Sequence, residues 1–187
     1  MLEKHSPQAG RADLRGFEWG YLAREALGSP HRILVKEGES VRAVAFSGDG
    51  NFVAIGAREK TTILNANDYS PRLSVAGPVT SIAFAKDGSR VFIADPGSVR
   101  AVDLKDGTET LLTREAGGPI AVSPDGKNLA AAAQRDNVRV FQISPWDGKR
   151  TFFRSSAPFA FSPNGTHLVT SSRRGYLDWE IEGERNE

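Results

Sequence analysis

The chain has 187 residues, 39% apolar and 25% charged, so it can bury a core and is neither disordered nor membrane-like. Lys and Arg number 24 against 23 Asp and Glu, a formal charge of +1, which argues against a general electrostatic grip on nucleic acid or on an acidic membrane. Cysteine is absent, which excludes disulfides, thiolate catalysis and Cys-type zinc sites. The longest notable apolar run, Leu129 to Ala133, falls far short of the ~18 residues a spanning helix needs. The opening MLEKHSPQAG lacks the apolar core of a secretory signal. These features predict a soluble, cytoplasmic protein of one domain, or an incomplete part of a larger one.

Residues 1–30 are expected to form a helical lead-in. Leu14, Phe17 and Tyr21, with Trp19 and Leu22 beside them, recur at helical spacing. Asp13 can cap the segment, and Gly28, Ser29 and Pro30 stop it. Gly16 and Gly20 each cost ~1 kcal/mol relative to Ala, so this helix depends on packing its aromatics against the rest of the chain.

Residues 31–187 repeat. Asp49-Gly50, Asp87-Gly88, Asp125-Gly126 and Asn164-Gly165 place glycines 38, 38 and 39 residues apart. Each ends a similar run: AFSGDG, AFAKDG, AVSPDG and AFSPNG. Both residues of such a pair accept positive φ at little cost, so tight hairpin turns are expected there. The stretches NFVAIGA, RVFIAD, NLAAAA and HLVTSS come next as strands. A third strand is read at TTILN (61–65), VRAVDL (99–104), VRVFQI (138–143) and YLDWEI (176–181). A second set of turns is expected at Asn67-Asp68, Asp106-Gly107 and Asp147-Gly148. Outer strands are read after them at RLSV (72–75), TLLT (110–113) and TFFR (151–154), and an unmatched RILVK stands at 32–36. Alternation such as Val99 and Ala101 against Arg100 and Asp103 gives one face to a core and the other to water or a neighbour.

Four antiparallel strands per ~40 residues is the signature of a β-propeller blade. A parallel β-helix has a period nearer half of this, and a sandwich gives no reason for turn chemistry to recur on a fixed count. The fold class is therefore read as all-β, a β-propeller of about four blades preceded by a short N-terminal α-helix.

The repeats resemble WD40 repeats. VRAVAFSGDG, VTSIAFAKDG, PIAVSPDG and PFAFSPNG stand for the first strand and turn of that family. TTILN, VRAVD, VRVFQ and YLDWE stand for its third strand, whose Trp position falls on Leu64, Val102, Phe141 and Trp179. The stretch DLRGFEWGYL (13–22) resembles the helical lead-in of large bacterial WD40-repeat proteins. The family's Gly-His pair is missing; EGESV, VAGPV, AGGPI and SSAPF stand in its place. No copy can then form the family's His–Ser–Asp–Trp network, and Asp136, the nearest match to its Asp, has no His to hold. The first strands of copies three and four read as about two residues shorter than the others.

Copy four lacks an outer strand after YLDWEI, and RILVK is available to supply one, as in WD40 closure. A closed four-bladed ring is thus open to this chain, against a truncated protein or an assembly of two partial rings.

No catalytic, cofactor-binding or metal residue is assigned, and the binding residues are left unknown. His5, His31 and His167 are isolated from one another. Asp49, Asp87 and Asp125 are explained by turn geometry. There is no G-x-S-x-G, Walker loop or G-x-G-x-x-G. Arg173-Arg174 could hold a phosphate or acidic peptide, or stand as a solvated hairpin tip. Trp146 is a candidate exposed interface aromatic, or packs on its own hairpin, while Trp179 is expected in the core. The WD40 resemblance implies a non-enzymatic scaffold with protein partners, or a fragment of a larger signalling or scaffold protein. Charge balance, apolar-run length and the missing motifs lead us to expect no cofactor, nucleic acid or membrane, and a homo-oligomer is expected if the ring is incomplete. The alternative is a propeller enzyme or small-ligand binder, TolB-like or lactonase-like, using the central channel.

Overall fold

A computed structural model describes residues 34, 40–134, 136–143, 146–153 and 155–181, with backbone only for 146–153. The expected lead-in helix and almost all of RILVK lie outside the described residues. Fifteen strands and no helix are found among the described residues.

They form four sheets, each a simple antiparallel meander. Sheet 1 holds β1 (Val41–Phe46), β2 (Phe52–Ala57), β3 (Lys60–Asn65) and β4 (Pro71–Ala76). Sheet 2 holds β5 (Ser81–Phe84), β6 (Arg90–Ala94), β7 (Val99–Asp103) and β8 (Glu109–Thr113). Sheet 3 holds β9 (Ala116–Val122), β10 (Asn128–Ala133), β11 (Asn137–Ile143) and β12 (Trp146–Phe153). Sheet 4 holds β13 (Ser156–Phe161), β14 (His167–Ser172) and β15 (Gly175–Glu180). Strand order matches chain order in every sheet, as expected from the repeat.

The first turn of each sheet works differently from the expected two-residue hairpin. Five residues link β1 to β2, closed by Gly50 N–H donating to Ser47 O at 2.9 Å. Gly88 to Ala85, Gly126 to Ser123 and Gly165 to Ser162 repeat that bond. The glycines alone take positive φ, at 73°, 68°, 81° and 77°. The Asp or Asn before each Gly contributes its side chain as an acceptor rather than a left-handed backbone.

Two further expectations need correction. Asp147-Gly148 is not a turn: Asp147 pairs with Gln142 inside the β11–β12 ladder, and Trp146 with Ile143. The first strands of sheets 3 and 4 are seven and six residues long, against four for β5. They look short in sequence because a register shift interrupts each, between Gly117 and Ile120 and between Ser156 and Phe159. Pro119 and Pro158 fall at these breaks, where a residue without N–H costs no ladder bond.

Packing runs from sheet to sheet. Ala54, Ile63 and Val75 of sheet 1 meet Ile82, Phe84, Val91, Ile93 and Val102 of sheet 2. Phe92, Ala94, Val99 and Ala101 of sheet 2 meet Ile120, Leu129, Ala131 and Phe141 of sheet 3. Ala130, Val138 and Val140 of sheet 3 meet Leu168 and Ile181 of sheet 4, flanked by Phe159, Phe161 and Trp179. First strands neighbour one another in series: β1 beside β5, β5 beside β9, β9 beside β13. Both faces of sheet 2 are therefore buried, which is why Val102 is as inaccessible as Val99. The second face of the alternation meets a neighbouring sheet, not water.

Neighbouring turns also touch. A Cβ on Gly88 would lie 2.7 Å from Asp49 Oδ2, and one on Gly165 would lie 2.9 Å from the Asp125 carboxyl carbon. Gly88→Ala must displace Asp49 and hold Ala at φ 68°, so it should lower unfolding free energy by about 1–2 kcal/mol. Gly97→Ala, with open space and no positive φ, should stay within ~0.5 kcal/mol. Urea unfolding of the two variants checks this contrast.

Candidate functional site

Each sheet presents its β-turns at one end, and the turns of successive sheets lie side by side. Their order comes from the Asp or Asn carboxyl or amide oxygen. Asp49 Oδ1 accepts from Ser47 Oγ (2.5 Å) and from Asn51 N–H (3.1 Å). Asp87 Oδ1 accepts from Ser89 N–H (3.1 Å) and Oγ (2.8 Å). Asp125 Oδ1 accepts from Ser123 Oγ and from Lys127 N–H (3.0 Å). Asn164 Oδ1 does the same with Ser162 Oγ (2.6 Å) and Thr166 N–H (3.2 Å).

Hydrogen bonds to a carboxylate favour its ionised form. The Ser47 hydroxyl and then the Asn51 amide hold the Asp49 carboxyl below its usual range. The Ser89 amide does so for Asp87, and the Thr108 amide for Asp106. Burial pushes Asp125 up, but the Ser123 hydroxyl and Lys127 amide outweigh it and the net direction is down. Asp95 behaves likewise, burial being outweighed by Ser98 and Gly97. These carboxylates stay ionised at neutral pH and serve the turns, not proton transfer.

A groove of about 390 Å³ lies between sheets 2 and 3. Arg90, Phe92, Asp103, Asp106, Leu112 and Ile143 are among its walls. Arg90 Nε stands 3.8 Å from Asp103 Oδ2, and Asp106 accepts from Thr108 N–H at 2.9 Å. Among the described residues, no group of three or more His, Asp or Glu is placed to hold a metal ion.

Two arginines tie sheets together, a role the repeat pattern did not signal. Arg100 of β7 donates to Ala76 O at the end of β4 (3.2 Å) and to Glu109 Oε2 (2.8 Å). Arg139 of β11 donates to Glu115 O (3.1 Å) and to the Glu115 carboxylate. Both reach back 24 residues to the preceding outer strand or its exit. The trace of it in sequence is VRAV and VRVF, where Arg holds the same place.

The residues singled out in the sequence lie apart. His167 Nδ1 faces Asp178 Oδ1 at 3.2 Å on sheet 4, while His5 and His31 are outside the described residues. Arg173 donates to Asp136 Oδ2 at 3.0 Å, so this hairpin tip carries an exposed ion pair rather than an anion cradle. The Trp146 side chain is outside the described residues. Trp179 is half-buried on the third cluster. Its Nε1–H donates to Thr170 Oγ1 (3.0 Å), whose hydroxyl donates to buried Ser155 (3.1 Å). Ser155 stands in SSAPF, where the family's His would precede the first strand. Sheet 4 thus carries a Trp179–Thr170–Ser155 chain.

Acid stability reports on the turn carboxylates. Folded carboxyls shifted below 3.8 contribute stability that is complete above pH 3.8 and lost as pH falls through their folded values. A chain with Asp49→Asn, Asp87→Asn and Asp125→Asn, copying Asn164, should show a flatter acid limb in urea midpoint against pH; an unchanged limb contradicts the assignment. Thr170→Val strands the Trp179 N–H and should cost about 1–3 kcal/mol by tryptophan fluorescence, whereas Thr170→Ser should recover most of it.

Comparison with protein families matches residues 28–64 to the WD40 family, WD domain, G-beta repeat. No curated protein matches the chain. WD40 repeats generally mediate protein–protein contacts and are generally non-catalytic. The match runs to Leu64 of β3, the place of the family Trp. The chain thus carries a WD40 repeat at 28–64, and its four sheets of one hairpin plan are consistent with WD40 repeats throughout.

Proposed function

We propose that the chain is a non-enzymatic scaffold that binds other proteins through the turn-bearing ends of its sheets. The observation that carries this reading is the repetition of one sheet plan under a WD40 match. Packed sheets hold the turns in fixed places while turn residues vary without disturbing the cores. In this reading residues 1–30 are a helical lead-in, residues 31–187 are propeller blades, and the whole is a module of a larger bacterial signalling or scaffold protein working in the cytoplasm. One observation favours a second reading: the groove between sheets 2 and 3 combines apolar walls with Arg90 and Asp103, as a small-ligand site would.

Affinity capture on the full chain separates the two. A saturable protein partner is expected, and reversing charge at the exposed turn positions with Lys86→Glu and Lys105→Glu should weaken it at least tenfold. Substrate turnover with no partner, lost on Arg90→Ala, contradicts the scaffold reading and supports the groove.

A further inference from the structure

Adjacent sheets meet in one hairpin register, so the same places can be compared from junction to junction. On the face of sheet 1 toward sheet 2, Phe52 pairs with Asn65, Ala54 with Ile63, and Ile63 with Leu73 of the outer strand. Ile63 is fully buried there, and Phe52 and Leu73 pack against the same cluster. On the face of sheet 2 toward sheet 3, those places hold Arg90 paired with Asp103, Phe92 with Ala101, and Ala101 with Thr110. The bulk has moved one strand inward. Phe92 stands where sheet 1 has Ala54, while Ala101 and Thr110 stand where it has Ile63 and Leu73. In sheet 3 the place of Ala101 belongs to Val140, which is again buried against the next sheet. The space that sheet 2 gives up is the groove of about 390 Å³, with Ile143 on its far side.

The same exchange makes the groove polar at its turn end. Arg90 and Asp103 replace Phe52 and Asn65. Asp103 Oδ1 accepts from Lys105 N–H at 2.9 Å, and Asp106 Oδ1 from Thr108 N–H at 2.9 Å, so each carboxylate commits one oxygen to its turn. Arg90 Nε, 3.8 Å from Asp103 Oδ2, is too far for a hydrogen bond. Among the described residues of the walls, two carboxylates face one guanidinium, an excess of one negative charge.

Taking the small-ligand reading of this groove, we propose that it binds an organic amine. The ammonium lies against Asp103 and Asp106, and an apolar body packs on Phe92, Ala101, Leu112 and Ile143, in the space that Ile63 and Leu73 fill one junction earlier. An anion meets two carboxylates for one guanidinium, and a neutral ligand gains nothing from the excess charge. The volume sits at the small end of ligand pockets, so the body is about the size of one aromatic ring. Binding without turnover is compatible with a scaffold.

Phenethylamine, phenethyl alcohol and phenylacetate share a ring and differ in charge. Amide NMR titration of the full chain with each should show phenethylamine shifting Phe92, Ala101 and Ile143 with a dissociation constant on the order of 1 mM, and the other two binding at least tenfold more weakly. Asp106→Asn keeps an acceptor for Thr108 N–H while removing a charge, and should weaken the amine roughly fivefold with the alcohol unchanged. Thr110→Leu, at an exposed position, and Ala101→Ile each put back the residue type of sheet 1 and should weaken the amine at least tenfold. Amine binding that Thr110→Leu leaves unchanged lies outside the groove and overturns the proposal. Equal affinity for amine and alcohol, or tighter binding of phenylacetate, overturns the amine and leaves the small-ligand reading standing. No response to any of the three at about 10 mM overturns both.

Discussion

Everything in this fold depends on sheets covering one another's faces. A sheet that is apolar on both sides cannot cover its own faces, and the inner sheets 2 and 3 are apolar on both. The three clusters are built from adjacent sheets, and the sheets between share residues with two of them: Phe92 serves one side of β6, Val91 and Ile93 the other. At about 25 cal/mol per Å², a face left bare is a large loss, which fixes the order of the sheets more firmly than any single hydrogen bond.

The polar features arise from that stacking. Bringing sheets together puts the carbonyls of Ala76 and Glu115 near a neighbour, and Arg100 and Arg139 satisfy them. It also brings turns into contact, so that Asp49 lies over Gly88 and Asp125 over Gly165. The carboxylates are then bound into turn order.

Much of this was legible in the residues. The turn glycines and the apolar runs around them place nearly every strand within one or two residues, because turn chemistry and burial recur together. What could not be read was pairing. Asp147-Gly148 has the composition of a turn, but the ladder from Ile143 to Trp146 closes the hairpin earlier. The strands before Pro119 and Pro158 look short because a proline in sequence gives no sign of a bulge that continues the strand beyond it. The inter-sheet arginines were visible as a repeated VR, but their acceptors are backbone carbonyls, which carry no sequence mark. The Trp179–Thr170–Ser155 chain was hidden for a related reason: hydroxyl side chains are common on strands and do not announce their partners.

Amide hydrogen exchange compares two interior strands that differ in face packing. β6 and β14 are both interior strands, with a hydrogen-bonded neighbour on each side. Phe92 of β6 is covered, whereas Val169, its counterpart on β14, is open in the single chain. If stacking sets stability, amides of β6 exchange at least tenfold more slowly than those of β14. Equal protection in the two strands would mean that the ladders hold each sheet by themselves, and would contradict the account.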